Sequence, residues 1–269
     1  MAEEVEVRRR RRSLIPRRRR RRPVASMSVL EHLGELRTRL IVSLVAFVAL
    51  SVVGFIFYEP IAELIRRPYC RLPEDLQGPQ GCKLIVTKAL GAFEFRLKLT
   101  ALVGLTLASP VWLYQLWAFI VPAFTPREKR YAVPFVLSSV LLFAVGVVAA
   151  YFTLPRGLQF LVAIGGEEVV PFLQAEDYLN FVGLMILAFG LMFELPLLLI
   201  FLGLIDVVSV EQLRRGRRIA IVGLVALAAV VTPSQDPYTL LVLSIPLYGL
   251  YEVTILVLSR VAKRRARQR

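Results

Sequence analysis

Residues Val133–Phe152 read VPFVLSSVLLFAVGVVAAYF, a block without a single charged side chain. A helix rises about 1.5 Å per residue, so roughly 20 such positions cover the ~30 Å hydrocarbon core of a bilayer. A helix on the surface of a soluble domain needs only one apolar stripe, so a block lacking charge on every side reads as a membrane span. The same ruler laid along the chain gives the expected spans Leu40–Phe57, Leu99–Val121, Val133–Phe152, Leu179–Leu202, Ile219–Val231 and Tyr238–Leu258. Strand-like alternation is absent, so helices rather than a barrel are expected to satisfy the backbone inside the lipid. The 57% hydrophobic content of the 269 residues agrees with an all-α integral membrane protein of six spans.

The formal charge of +14 invites a nucleic-acid reading, but its distribution decides otherwise. With the N-terminus placed inside, about 26 Lys and Arg fall on the inner side and about 8 on the outer. Leaving out every Arg before Met27 still gives about 15 against 8. Both termini are therefore expected in the cytoplasm of a prokaryotic cell, with the protein in its inner membrane.

Arg8–Arg12 and Arg17–Arg22 are low-complexity runs that repel themselves, so residues 1–27 are expected to be a disordered, solvated extension. Met27 is an alternative start. Residues 28–259 form the expected membrane domain, and residues 260–269 a basic cytoplasmic tail. Ser28-Val29-Leu30-Glu31 has the capping-box form and opens an amphipathic segment leading into the first span. Thr125-Pro126-Arg127-Glu128 and Ser209-Val210-Glu211-Gln212 have the same form before the third and fifth spans. Both outer segments, Tyr58–Gly91 and Thr153–Tyr178, are long enough for short helices of their own. The fifth span is short, about 20 Å at 1.5 Å per residue, so the bilayer thins there or Arg217 and Arg218 reach for head groups.

Cys70 and Cys82 share the first outer segment. That compartment permits a disulfide, and two unpaired thiols fit the spacing equally well. Two cysteines make no metal site, and His32 lies on the other side. No phosphate-cradling loop, metal cluster or nucleophilic triad is present in the sequence, so no cofactor, no metal and no enzymatic activity are expected.

Acids in costly places carry the functional signal. Glu194, in Phe193-Glu194-Leu195-Pro196, lies inside the fourth span. A carboxylate there is expensive unless it pairs, and Pro196 removes a backbone donor beside it. It is either a structural hydrogen bond to a neighbouring helix or a contact for a partner or substrate. Glu252 in the sixth span lies nearer the inner surface, where a structural role is simpler. Glu35 and Glu128 are expected at the inner surface; the first can pair with Arg39 one turn on, and the second completes a capping box. A secondary transporter using Glu194 as a coupling site is the rival class, but paired broken helices or an internal repeat are missing from the sequence pattern.

These residues fall in strings that resemble the TatC family, the large subunit of the twin-arginine protein translocase. The strings are Glu31-His32-Leu33-Gly34-Glu35-Leu36-Arg37-Thr38-Arg39-Leu40, Ser109–Pro122, Ala188–Pro196, Thr232–Pro237 and Ile245–Glu252, in that order. The resemblance covers about Met27 to Ser259 and implies six helices in a curved, glove-like arrangement with short fifth and sixth spans. It implies a non-enzymatic receptor for twin-arginine signal peptides of folded precursors at the cytoplasmic face, working on the proton-motive force. Glu35 and Glu128 match the acids that receive the two arginines; guanidinium forks suit carboxylates in a way that Lys cannot copy. Arg37 and His32 match the same motif, and Phe119 lies near the second acid. Glu194 matches the intramembrane acid that meets the single-span partners TatA and TatB. Pro68, Pro110, Tyr151 and Asp236 match positions of structural support, as Glu252 does by its place. Several copies per complex and contact with membrane lipid are implied as well.

Overall fold

The computed structural model describes residues 29–73, 76–77, 81–120, 132–163, 173–232 and 236–266. The chain divides into two compact units, residues 1–37 and 38–269. Among the described residues the helices are α1 (Val29–Ile56), α2 (Tyr58–Cys70), α3 (Gly91–Leu107), α4 (Ser109–Ile120), α5 (Ala132–Ala163), α6 (Ala175–Met192), α7 (Leu195–Leu204), α8 (Val210–Arg215), α9 (Arg217–Val231) and α10 (Pro237–Ala266). The described part of the first unit is the opening of α1, and the second unit holds all that follows. The protein is an all-α integral membrane protein. Segments His32–Ile56, Val133–Ala163, Ala175–Leu204 and Pro237–Arg264 are each long and apolar enough to cross a membrane. The pair α3 and α4, bent by 53°, makes a fifth candidate. The extension 1–27, the capping boxes at Ser28 and Thr125, and Glu128 lie outside the described residues.

Proline decides where these helices break. The second expected span is split at Ala108, where Pro110 sits at the second position of α4 and cannot donate to the turn before it. Beside the break, the carbonyl of Leu105 accepts the indole N–H of Trp112 at 3.1 Å. The fourth span is interrupted at Phe193 and Glu194, and Pro196 stands at the start of α7. A proline stands at both interruptions, but only α3 and α4 diverge sharply, while Ala175–Leu204 still passes as one segment of 30 residues. A proline costs its helix one donor wherever it lies beyond the first turn, and only the three-dimensional arrangement supplies a replacement.

Glycine sets the closest helix approach. Helix α5 packs most extensively against α6, and a Cβ on Gly146 would come within 2.6 Å of the Phe189 carbonyl oxygen. One on Gly104 of α3 would meet the Ser51 side chain and backbone of α1. Helices in lipid gain little from burying apolar surface against one another, so such close van der Waals contact is what holds them. The core runs through Leu99, Leu154, Tyr178, Val182, Met185 and Phe189, with Leu243 and Leu247 of α10 on it.

Helix α9 has 15 residues, or about 22 Å. Helix α10 runs for 30 residues, about 45 Å, and continues through Arg260, Lys263 and Arg264, so the basic segment after Ser259 opens as helix. The apolar count stops at the first charge, whereas backbone hydrogen bonding does not. Between α7 and α8 the chain turns by a Schellman motif. Val207 N–H donates to Leu202 and Asp206 to Gly203, with Asp206 at φ 61° where glycine is usual. Ser209 and Gln212 then form the expected capping box, at 3.1 and 2.8 Å.

Candidate functional site

Glu194 occupies the two-residue break between α6 and α7, because Pro196 prevents the helix from running through. Its Oε2 accepts a hydrogen bond from the Ser139 hydroxyl of α5 at 2.7 Å. Ser139 is wholly buried, and its oxygen accepts in turn from the Trp117 indole of α4 at 2.9 Å. Three helical segments therefore meet at one carboxyl group. The directions are fixed by chemistry: an indole only donates, so the single hydroxyl proton of Ser139 is left for Glu194. The other carboxyl oxygen, Oε1, is buried and has no hydrogen-bond partner among the described residues. Beneath the network lies an aromatic floor. Trp117 meets Phe135 edge-on at 4.5 Å and Phe201 at 6.0 Å, with Leu197 and Leu204 packed around them. The Thr254 hydroxyl of α10 donates to the Pro196 carbonyl at 3.2 Å and fastens the start of α7.

Ser139 and Trp117 escape a reading by motif, since neither lies near Glu194 in sequence. Ser138-Ser139 inside an otherwise apolar block is the one local signal that could have pointed there.

The second constellation is at the start of α1. His32 and Glu35 face each other one turn apart, Nδ1 to Oε2 4.0 Å, and the Glu35 side chain is about a quarter exposed. Arg37 is exposed on the same helix. Within the second unit, Arg39 donates to the Gln115 side chain of α4 at 3.2 Å. Phe119 lies half-buried one residue before the end of α4. Glu128 lies outside the described residues, so no distance relates it to Glu35.

The remaining candidates hold helix ends and kinks. Pro68 of α2 cannot donate to the Leu64 carbonyl, and the Tyr151 hydroxyl does so at 3.0 Å. Tyr178 donates to the neighbouring Ile65 carbonyl. Asp236 is buried, and its Oδ1 accepts from the Thr239 N–H at 2.7 Å at the start of α10. Glu252 receives Arg217 on both oxygens, at 2.8 and 2.9 Å, and the Tyr248 hydroxyl at 3.0 Å. This bidentate ion pair ties α9 to α10.

Cys70 and Cys82 are joined as a disulfide, with Cα atoms 4.9 Å apart. The segment beyond it pairs with the start of α6 through Ile85 and Gln174. Lys88 donates to Glu176 at 2.6 Å, and Lys98 donates to the other carboxylate oxygen. The hydrogen bond with Glu176 raises the Lys88 pKa. No group of three or more metal-ligating side chains converges among the described residues.

Several apolar helices with a carboxyl group held at a break between them define an integral membrane protein built around intramembrane polar contacts. The chain belongs to the TatC family. The family model described as "Sec-independent protein translocase protein (TatC)" matches residues 31–246. The protein of that name from Frankia casuarinae is 44% identical over 237 residues, covering 86% of this chain and 65% of the relative. That from Aquifex aeolicus is 36% identical over 245 residues, covering 90% and 98%. The chain thus spans about two-thirds of the first relative and nearly all of the second. Among solved structures, a crystal structure of the twin-arginine translocase receptor TatC in DDM matches with a TM-score of 0.68 at 36% identity, covering 84% of this chain and 99% of that one. A second crystal structure of the same receptor matches with a TM-score of 0.64 at 37% identity, covering 87% and 100%.

Proposed function

We propose that this protein is the multi-span subunit of a twin-arginine translocase. It binds the signal peptides of folded precursors at the cytoplasmic face for export driven by the proton-motive force, and it is not an enzyme. Membership of the TatC family across residues 31–246 carries this reading, because that stretch includes Glu35, Glu128 and Glu194. The apolar blocks support six spans, with the 15-residue α9 as the short fifth, and the charge asymmetry supports both termini on the cytoplasmic side of a prokaryotic inner membrane. Glu35 and Glu128 receive the two signal arginines, each able to accept a bidentate guanidinium. His32 and Arg37 border the first acid and Phe119 the second. Glu194 is the contact for single-span partners of the TatA and TatB kind, in an assembly of several copies surrounded by lipid. The secondary-transporter reading gains nothing from the two proline breaks, because they are not accompanied by a repeated half.

The test is binding of a twin-arginine signal peptide to the purified full chain in detergent. Glu35→Ala, Glu35→Lys and the same changes at Glu128 each reduce binding markedly. Replacing the peptide arginines by Lys reduces it less. Full binding by the Glu35→Ala/Glu128→Ala double variant would reject the site.

A further inference from the structure

The two oxygens of Glu194 are treated unequally. Oε2 accepts from Ser139, which is itself held by Trp117; Ser139 and Trp117 are buried, whereas Glu194 is partly exposed. Oε1 is covered by protein and has no donor among the described residues. Since Trp117 can only donate and Ser139 has one proton, the chain of donors ends at Oε2 and cannot supply Oε1. An acceptor left unsatisfied in a buried place is unfavourable, and a state in which both oxygens meet donors is favoured over it. The backbone of Glu194 is held on both sides, its N–H by the Leu191 carbonyl at 3.1 Å and its carbonyl by the Leu198 N–H at 3.0 Å, so only rotation of the side chain can take the carboxyl group from Ser139.

We propose that Trp117 and Ser139 form a hydrogen-bonded latch that holds Glu194 by one oxygen against α5, and that a partner helix supplies donors to both oxygens only once the acid has left the Ser139 hydroxyl. This rests on the reading of Glu194 as the partner contact. The partner must carry a hydroxyl, a carboxamide or a protonated carboxyl at the depth of Glu194; an entirely apolar helix cannot open the latch. Ser139 and Trp117 are positioning residues. They set the fraction of molecules whose acid is available, and partner affinity falls by that fraction.

The probe is a synthetic single-span Leu/Ala helix of about 20 residues with one central Gln, compared with the same helix carrying Leu there. Energy transfer from the labelled full chain in liposomes measures association. The wild type prefers the Gln helix. Ser139→Ala raises that preference roughly three- to tenfold, the effect of removing one competing hydrogen bond within a membrane. Ser139→Thr keeps the hydroxyl and stays at the wild-type level, and Trp117→Phe gives a smaller rise because only the outer donor is lost. The infrared carboxyl band that disappears in Glu194→Gln moves in Ser139→Ala and stays in place in Ser139→Thr.

Unchanged or weaker Gln preference in Ser139→Ala, or a carboxyl band that does not move, overturns the latch. So does a Gln preference missing from both the wild type and Ser139→Ala, since release must uncover it. Glu194→Ala separates the two readings. If it abolishes the preference while Ser139→Ala has no effect, only the latch falls; if the preference survives Glu194→Ala, the assignment of Glu194 as partner contact falls with it.

Discussion

The hydroxyl of Tyr151 donates to the carbonyl of Leu64 at 3.0 Å, the carbonyl that Pro68 leaves without its helical donor. One residue's missing N–H is answered by another helix's phenol, so the proline in α2 and the register of α5 against it are fixed together.

Tyr151→Phe is therefore expected to cost about 1 kcal/mol, the net worth of one hydrogen bond, and to lower the thermal midpoint in detergent. In a Pro68→Ala background, where the backbone can donate again, the same change costs less. Equal losses in both backgrounds, read as a double-mutant cycle, would break the link between the two residues.

Gly146→Leu should prevent α5 from approaching α6, because even a Cβ would collide with the Phe189 carbonyl at 2.6 Å. Gly146→Ala is expected to be milder but still destabilising by roughly 1–3 kcal/mol, as for other overpacked contacts. Monodisperse elution in detergent and its midpoint on heating read both.

The Cys70–Cys82 disulfide encloses the loop that follows α2. Thiol reagents applied to intact cells should label neither cysteine before reduction and both afterwards. Cys70→Ser/Cys82→Ser should speed tryptic cleavage at Arg71 and Lys83. A closed loop of about 15 residues is worth roughly 3 kcal/mol, so the double variant also unfolds at lower temperature.

Lys88 and Lys98 clasp Glu176 from two sides. The raised Lys88 pKa fixes the sign of the pH effect. The contribution is complete below the usual lysine range and disappears as pH climbs through the raised value, so it is constant across neutral pH. Lys88→Met/Lys98→Met should loosen the pairing of Ile85 with Gln174 at neutral pH, seen as faster amide exchange at Ile85 and Ala175. Exchange equal to that of the wild type would show that the clasp does not hold this pairing.

The membrane class was legible in residues such as Val133–Phe152 because lipid forbids charge over a known length. The capping box at Ser209 was legible because its partners are three residues apart. Pro68, Pro110, Tyr151 and Asp236 stood out in strings, but their contacts did not: the Leu64 carbonyl meets Tyr151 from a distant part of the chain. The split at Ala108 and the full length of α10 were missed for a related reason. Hydropathy reports where charge stops, not where hydrogen bonding does. Trp117 and Ser139 were invisible beside Glu194, since three distant segments must fold before they meet.

Helix α1 exposes Leu40, Leu44, Val45, Val48 and Val52, and Ser51 against Gly104 is among its few close contacts. That sets an order for biogenesis. Synthesis delivers α1 before its Gly104 seat and the α5–α6 core. The nascent first span must wait in lipid as an independent helix, stable by its own backbone bonds alone. Assembly of this protein is then a late condensation around its second half, with the first helix recruited to a surface that did not exist when it was inserted.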